Sequence, residues 1–287
     1  MIYQRMAVIG VGLIGGSVAL DAKARGLVGH VVGASRSDQT RRIALKRGIV
    51  DEFTHDRSEA VAGADLVYVS VPVGDTDAVL REIAPTLRPD AVVTDAGSTK
   101  TRVMQSAREV LAGRCVFIGG HPIAGSEQSG ADAAREGLFE DRTYVLTSLP
   151  NTPADELGRL ERFVTGLGAR VVLCDADQHD RLLAATSHLP HLIASALAEC
   201  LSGIAPRCGD LKLFSGSGLR DTTRVAAGSP DLWRDILLEN ADNVLAALEP
   251  FQRDLAVYAQ ALEAGDVELL TRLLERGAEF RKGLDQT

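Results

Sequence analysis

Met6-Ala7-Val8-Ile9-Gly10-Val11-Gly12-Leu13-Ile14-Gly15-Gly16-Ser17 is the stretch on which the reading of this chain turns. An apolar strand runs into a glycine turn and then into a helix, which is the context that gives G-x-G-x-x-G its meaning. Gly10 allows the tight turn, Gly12 lets a pyrophosphate approach the backbone, and Gly15 lets the helix pack closely on the strand. The free N–H groups of the helix start then face phosphate oxygens, so a dinucleotide is the first candidate ligand. About 20 residues on, a site that reads NAD usually places a carboxylate on the ribose. Here the second strand ends Gly33-Ala34-Ser35-Arg36-Ser37 instead. Ser35 offers a hydroxyl, Arg36 a planar cation suited to phosphate and to stacking on adenine, and Thr40 a further hydroxyl. NADP preferred or accepted is the expectation, with NAD as the alternative if Arg36 is simply solvated.

Outward from that turn, short apolar runs alternate with helical stretches. Strands are expected at 6–9, 30–34, 66–70, 91–95, 115–119, 144–147 and 170–173, and helices at 16–25, 39–47, 76–87, 100–111 and 154–167. Most of these strands are apolar on both faces, as parallel strands covered by helices are. The alternation predicts an α/β fold with a doubly wound, mainly parallel sheet. After residue 173 the strand signals stop, and 177–189, 191–201, 210–213, 230–248 and 251–276 read as helices broken by Pro and Gly. We therefore place a dinucleotide-binding domain at 1–173 and an all-helical domain at 174–287. The stripe Leu232, Ile236, Leu237, Asn240, Val244, Leu248 carries more apolar surface than one helix hides, which predicts a homodimer through the helical part.

Composition narrows the classes. The 287 residues suffice for one large domain or two ordinary ones, and 45 % hydrophobic residues allow a real core. A net charge of -8 argues against nucleic acid as a partner. No apolar run reads as a membrane span and no export signal opens the chain, so a cytoplasmic protein is expected. Cys115, Cys174, Cys200 and Cys208 show no metal-site spacing and read as reduced thiols.

Four further segments carry chemistry. Asp95-Ala96-Gly97-Ser98-Thr99-Lys100 leaves a strand and starts a helix, at the sheet edge where ligands bind. Ser98 can cap that helix, point its hydroxyl at the nicotinamide or a substrate oxygen, or do both, and Lys100 reads as a surface residue or a catalytic lysine. Gly119-Gly120-His121-Pro122 holds a histidine in a shaped loop, where it can accept a proton near neutrality. Ser187-His188-Leu189-Pro190-His191 has no acidic or thiol partner at zinc-site spacing, so one histidine in a pocket and one structural is the reading. Gly216-Ser217-Gly218-Leu219-Arg220-Asp221-Thr222-Thr223-Arg224 offers Arg224 to a substrate carboxylate, with Asp221 orienting it or capping a turn.

Together the segments GVGLIGGS, SVPV, DAGSTK, GGHPIAGSE, SHLPH, GLRDTTR and WRDILLEN resemble, in order and spacing, the prephenate/arogenate dehydrogenase family of tyrosine biosynthesis. The resemblance spans residues 6–248. It implies a Rossmann-type domain, a helical dimerisation domain, a small-molecule substrate and an oxidative decarboxylation driven by aromatisation. By the same resemblance His121 is the catalytic histidine and Ser98 supports the substrate hydroxyl. Arg224 binds a carboxylate, His191, Glu127, Ser187 and Asp221 serve the substrate, and Leu13, Ile14, Val71 and Pro72 serve the cofactor. His191 and Glu127 fit members that accept prephenate, whereas Ser35-Arg36 resembles NADP-using members, many specific for arogenate. A cyclohexadienyl enzyme using both substrates fits these mixed signals. By its length the chain is expected to carry neither an added ACT-type domain nor a fused chorismate mutase, so any tyrosine feedback is expected at or near the active site. The competing readings are a 3-hydroxyacid dehydrogenase with Lys100 as base, and a non-catalytic NADP-sensing dimer.

Overall fold

The computed structural model describes residues 1–126 and 128–284. In chain order the elements are β1 (Tyr3–Ile9), α1 (Leu13–Ala24), β2 (Val28–Ala34), α2 (Asp38–Lys46), β3 (Glu52–Thr54), α3 (Arg57–Val61), β4 (Leu66–Val69), α4 (Thr76–Ile83), β5 (Val92–Asp95), α5 (Thr101–Leu111), β6 (Val116–Pro122), β7 (Thr143–Ser148), α6 (Ala154–Gly166) and β8 (Arg170–Leu173). The helical remainder is α7 (Ala176–Leu183), a π-turn (Ala184–His188), α8 (Leu189–Cys208), α9 (Ser217–Thr223), α10 (Pro230–Glu239), α11 (Ala241–Ala264) and α12 (Val267–Gly283).

The described strands form one sheet in the order β3-β2-β1-β4-β5-β6-β7-β8, parallel throughout except where β6 meets β7. In β1, Met6 and Val8 enter one core while Ala7 and Ile9 enter the other. That two-residue alternation, apolar on both sides, is what a strand sandwiched between helical layers requires. Chain order reverses between β1 and β4, so the crevice for a ligand opens at their carboxyl ends, where the glycine turn lies.

Several boundaries differ from the sequence reading. β3 is missing from it, because three residues make too short a pattern to detect. β6 does not stop at 119: Gly120, His121 and Pro122 pair with Leu146, Val145 and Tyr144 of β7. His121 is therefore a strand residue and not a loop residue. The expected break at Pro190 does not occur, and a helix runs over Ala176–Cys208. Proline lacks an N–H and its ring clashes with the carbonyl four residues back. The wider π-turn just before α8 shifts the ladder there, and Pro190 falls in the first turn of α8. This continuity also corrects the statement that no run reaches a membrane span. Among the described residues, one helix, Ala176–Cys208, is long and apolar enough by length and composition alone.

Two compact units result, Met1–Asn240 and Ala241–Thr287. The first holds the sheet and the helices through α10. The expected 230–248 helix ends at Asn240, and that side chain is buried. The second unit is the pair α11 and α12. They meet at Gly265, in the left-handed region at φ 61°, and the Asp266 carboxylate caps α12 by accepting from the Leu269 N–H at 2.9 Å.

Candidate active site

Gly10 ends β1 with φ +95°, and a Cβ there would lie 2.1 Å from the Ser70 carbonyl oxygen. Gly12 is the opposite case: a Cβ would meet nothing within 4 Å. Among the described residues no side chain caps α1 at Gly12, and the glycine leaves the approach to the first N–H groups clear. That vacant approach to a helix N-terminus fits a dinucleotide pyrophosphate. Leu13, Ile14, Val71 and Pro72 line the same cleft, of about 540 Å³. At its ribose end Arg36 is 82 % exposed, with its guanidinium 3.8 Å from Asp75. The Thr40 N–H donates to Ser37 Oγ at 3.2 Å, which caps α2. Ser35 is half-buried, and its carbonyl oxygen lies 2.7 Å from His55 Nδ1, whose Nε2 lies 3.2 Å from Asp38. Sequence reasoning missed His55 because it missed β3, the strand that delivers it.

Between β5 and α5 the chain makes the floor of the cleft. The buried Asp95 carboxylate accepts from the Gly97 N–H at 2.8 Å and the Gly120 N–H at 3.0 Å, and pairs with the Lys100 ammonium. It thereby ties the Ser98 segment to the end of β6. Lys100 is fully buried, so it is neither a surface residue nor a base facing the cleft. Ser98 does not cap α5. Asp180 does, accepting from the Lys100 N–H at 2.7 Å and the Thr101 N–H at 2.8 Å. The Ser98 hydroxyl is left without a hydrogen bond among the described residues, and Ser98 lines the cleft with the glycine turn and His121.

His121 is 8 % exposed. Its Nδ1 lies 2.8 Å from Nε2 of the buried His179, whose Nδ1 lies 2.8 Å from Asp180 Oδ1. Burial holds the His121 ring well below the ordinary histidine range, helped by His179, Lys100 and His188 and opposed by Asp180. Burial also resists ionisation of Asp180, but hydrogen bonds from His179, Thr101 and Lys100 outweigh it and bring the carboxyl to about 2. At neutral pH the cleft therefore presents an uncharged imidazole backed by a carboxylate.

The remaining histidines divide in role. His188 is buried, with its Nδ1 3.1 Å from Asn240 Nδ2, which also donates to the Asp180 carbonyl at 2.7 Å. Burial brings the His188 ring down to about 4. His191 stacks on Trp233, with centroids 3.5 Å apart and planes at 11°. Trp233, with Leu232 and Ile236, lines the cleft, whereas His191 and Ser187 are not among its lining residues. Arg224 and Asp221 are exposed and outside that lining, and no ion pair joins them. A turn (Arg224–Ala227) leads from Arg224 to Gly228, where a Cβ would lie 2.7 Å from Trp233 Nε1. Glu127 lies outside the described residues.

Comparison with known proteins identifies the family. The family model "Prephenate dehydrogenase, nucleotide-binding domain" matches residues 18–173, and "Prephenate dehydrogenase, dimerization domain" matches 175–276. The chain belongs to the prephenate dehydrogenase family. It is 36 % identical to the prephenate dehydrogenase of Bacillus subtilis over 96 % of this chain and 74 % of that one. It is 35 % identical to the cyclohexadienyl dehydrogenase of Zymomonas mobilis, covering 99 % and 97 %. The A. aeolicus prephenate dehydrogenase, solved with hydroxyphenyl propionate and NAD+, superposes with a TM-score of 0.91 at 32 % identity, covering 98 % of each chain. The Synechocystis arogenate dehydrogenase gives 0.82 at 32 % identity, covering 98 % of this chain and 100 % of that one.

Membership in this family accounts for the Rossmann-type sheet and the helical segment that follows it. It does not by itself point to His179 and Asp180, which the sequence reading passed over, or to Asn240, which that reading placed only in an apolar stripe. The one available signal was density: His179, His188 and His191 fall within thirteen positions of a chain that has 6 histidines.

Proposed function

We infer that the protein is a pyridine-nucleotide-dependent dehydrogenase that oxidatively decarboxylates prephenate. The observation that carries this reading is the meeting of three groups in one cleft: the helix start at Gly12 and the Ser98 hydroxyl, neither with a side-chain partner among the described residues, and the uncharged His121 ring. The bound nucleotide supplies the hydride acceptor. Ser98 holds the ring hydroxyl of the substrate, and His121 takes the hydroxyl proton as hydride departs. Loss of carbon dioxide from the opposite ring position then restores aromaticity, and His121 returns the proton to the ring oxygen. No Lys or Arg lines the cleft among its described residues. We assign the substrate carboxylate to Arg224, on the turn that leads to Trp233. That group binds and orients, because gripping a carboxylate does not hasten its loss.

A second substrate, arogenate, shares the ring, and the names of the Zymomonas mobilis and Synechocystis relatives favour testing it. For the cofactor, the exposed Arg36 beside Ser35 and the lack of a ribose carboxylate support NADP preferred or accepted. The helix Ala176–Cys208, largely unburied, and the exposed Leu213 and Phe214 support a homodimer, since such apolar surface needs a partner.

Incubation with prephenate or arogenate and NADP+ or NAD+, following absorbance of the reduced nucleotide, tests the reading. Reduction with prephenate is expected, and no reduction with either substrate overturns it. Arg36→Ala is expected to raise KM for NADP+ by about tenfold while leaving NAD+ nearly unchanged, the loss of one charge-assisted phosphate contact. An unchanged cofactor ratio defeats the NADP assignment.

A further inference from the structure

We propose that His179 and Asp180 are positioning residues that hold His121 as its Nδ1–H tautomer, so that Nε2 is the base presented to the cleft. The inference rests on reading His121 as the proton acceptor. Donors and acceptors are fixed in turn along two contacts. Asp180 Oδ1 is an acceptor only, and it lies 2.8 Å from His179 Nδ1, so that nitrogen carries a proton. The proposal takes His179 as a neutral ring, whose other nitrogen is then an acceptor. His179 Nε2 is 2.8 Å from His121 Nδ1, and His121 must donate there. Its second nitrogen is left as a bare lone pair on a residue that lines the cleft.

The chain has little freedom to rearrange. His179 and Asp180 are 1 % and 2 % exposed. Asp180 is anchored by the Lys100 and Thr101 N–H groups and, through its own carbonyl, by Asn240. Among the described residues, the titratable groups that act on His121 are His179, Asp180, Lys100 and His188. His179 and Asp180 come from α7, Lys100 from the start of α5 is paired with Asp95, and His188 comes from the π-turn. When His121 Nε2 takes the substrate proton, the positive ring keeps its Nδ1–H on His179, and the Asp180 carboxylate balances the charge one ring away. No proton needs to leave the site.

The test is the protonation pattern of the ring nitrogens in the full-length protein with 15N-labelled histidine, read by NMR at neutral pH. The expected result is Nδ1–H with bare Nε2 on both His121 and His179. A proton on His121 Nε2 overturns the proposal. Turnover of prephenate gives the second readout. His179→Leu removes the acceptor and is expected to lower kcat by about 10- to 100-fold with nucleotide affinity unchanged, the scale of a mis-set general base. His179→Gln keeps a carbonyl oxygen for His121 and an N–H for Asp180, and should retain about tenfold more kcat than His179→Leu. Equal activity of wild type and His179→Leu overturns the proposal. The nitrogen pattern does not depend on turnover, so a protein with the expected tautomers that oxidises no prephenate would refute the catalytic reading and leave the tautomer assignment standing.

Discussion

At His121 the imidazole is enclosed by β6, α7 and the segment between β5 and α5, and the loss of water there disfavours the charged ring before any neighbour acts. A base that must be neutral is thus neutral well into acid solution. The kcat/KM profile for prephenate is expected to stay flat through pH 6.5 and to fall only below it. A limb at or above the ordinary histidine value would contradict the burial argument. His121→Asn should lower kcat by about 10²- to 10⁴-fold without weakening the nucleotide. Arg224 answers to a different measurement. It is exposed and makes no ion pair among the described residues, and Arg224→Ala should raise KM for prephenate more than it lowers kcat. An equal or larger effect on kcat would place Arg224 in the chemistry itself. Sequence reading reached both residues, because each sits in a short glycine-bearing segment whose local pattern is unusual.

Among the elements, the β1–α1 turn separates two jobs of glycine. At Gly10 a side chain would strike the Ser70 carbonyl at 2.1 Å and would also occupy a backbone at φ +95°, where L residues are strained. At Gly12 the space is empty. Gly12→Ala is therefore expected to leave the melting temperature within a degree or two and to weaken nucleotide binding about tenfold or more, since its methyl stands where a phosphate approaches. Gly10→Ala should lower both stability and binding, by roughly 2–4 kcal/mol in the first. Calorimetry with and without nucleotide checks the pair. The strands were legible because apolar runs on both faces carry their own signature. β3 was not, being three residues long, and with it went His55. The helix over 176–208 was misread at Pro190, since a π-turn that accommodates proline leaves no mark in apolar periodicity.

Across the whole molecule, buried neutral histidines couple stability to pH. His188 has its folded value lowered from 6.5 to about 4, so between those values the unfolded chain binds a proton that the folded chain refuses. Stability is full at neutral pH, declines as pH falls through 6.5, and stops declining from this source near pH 4. Over that window His188 alone removes about 3 kcal/mol, and His121 acts in the same direction. Urea unfolding at pH 7 and pH 5 should show the loss, with His188→Gln flattening it. A His188→Gln protein whose stability falls as steeply as wild type would count against this assignment. Asp180 adds a separate decline below 3.8, where its carboxylate, held at about 2, begins to take protons in the unfolded chain first.

Seven of the eight strands, the helices α1, α2, α4, α5 and α6, the glycine cradle and the segments bearing Ser98, His121 and Arg224 could be read from the amino acids alone, because each is written in contiguous residues with a period of two, a period near four or a turn chemistry. The wiring behind His121 could not. His179 stands 58 positions from it and Asn240 stands 60 from Asp180. Such pairs meet only when the sheet and the helices of the first unit have packed. Burial then strips the water from them and leaves each ring nitrogen one partner to satisfy. The same packing turned Lys100 inward onto Asp95 and left the capping of α5 to Asp180, so that the Ser98 hydroxyl stayed without a partner among the described residues of the cleft.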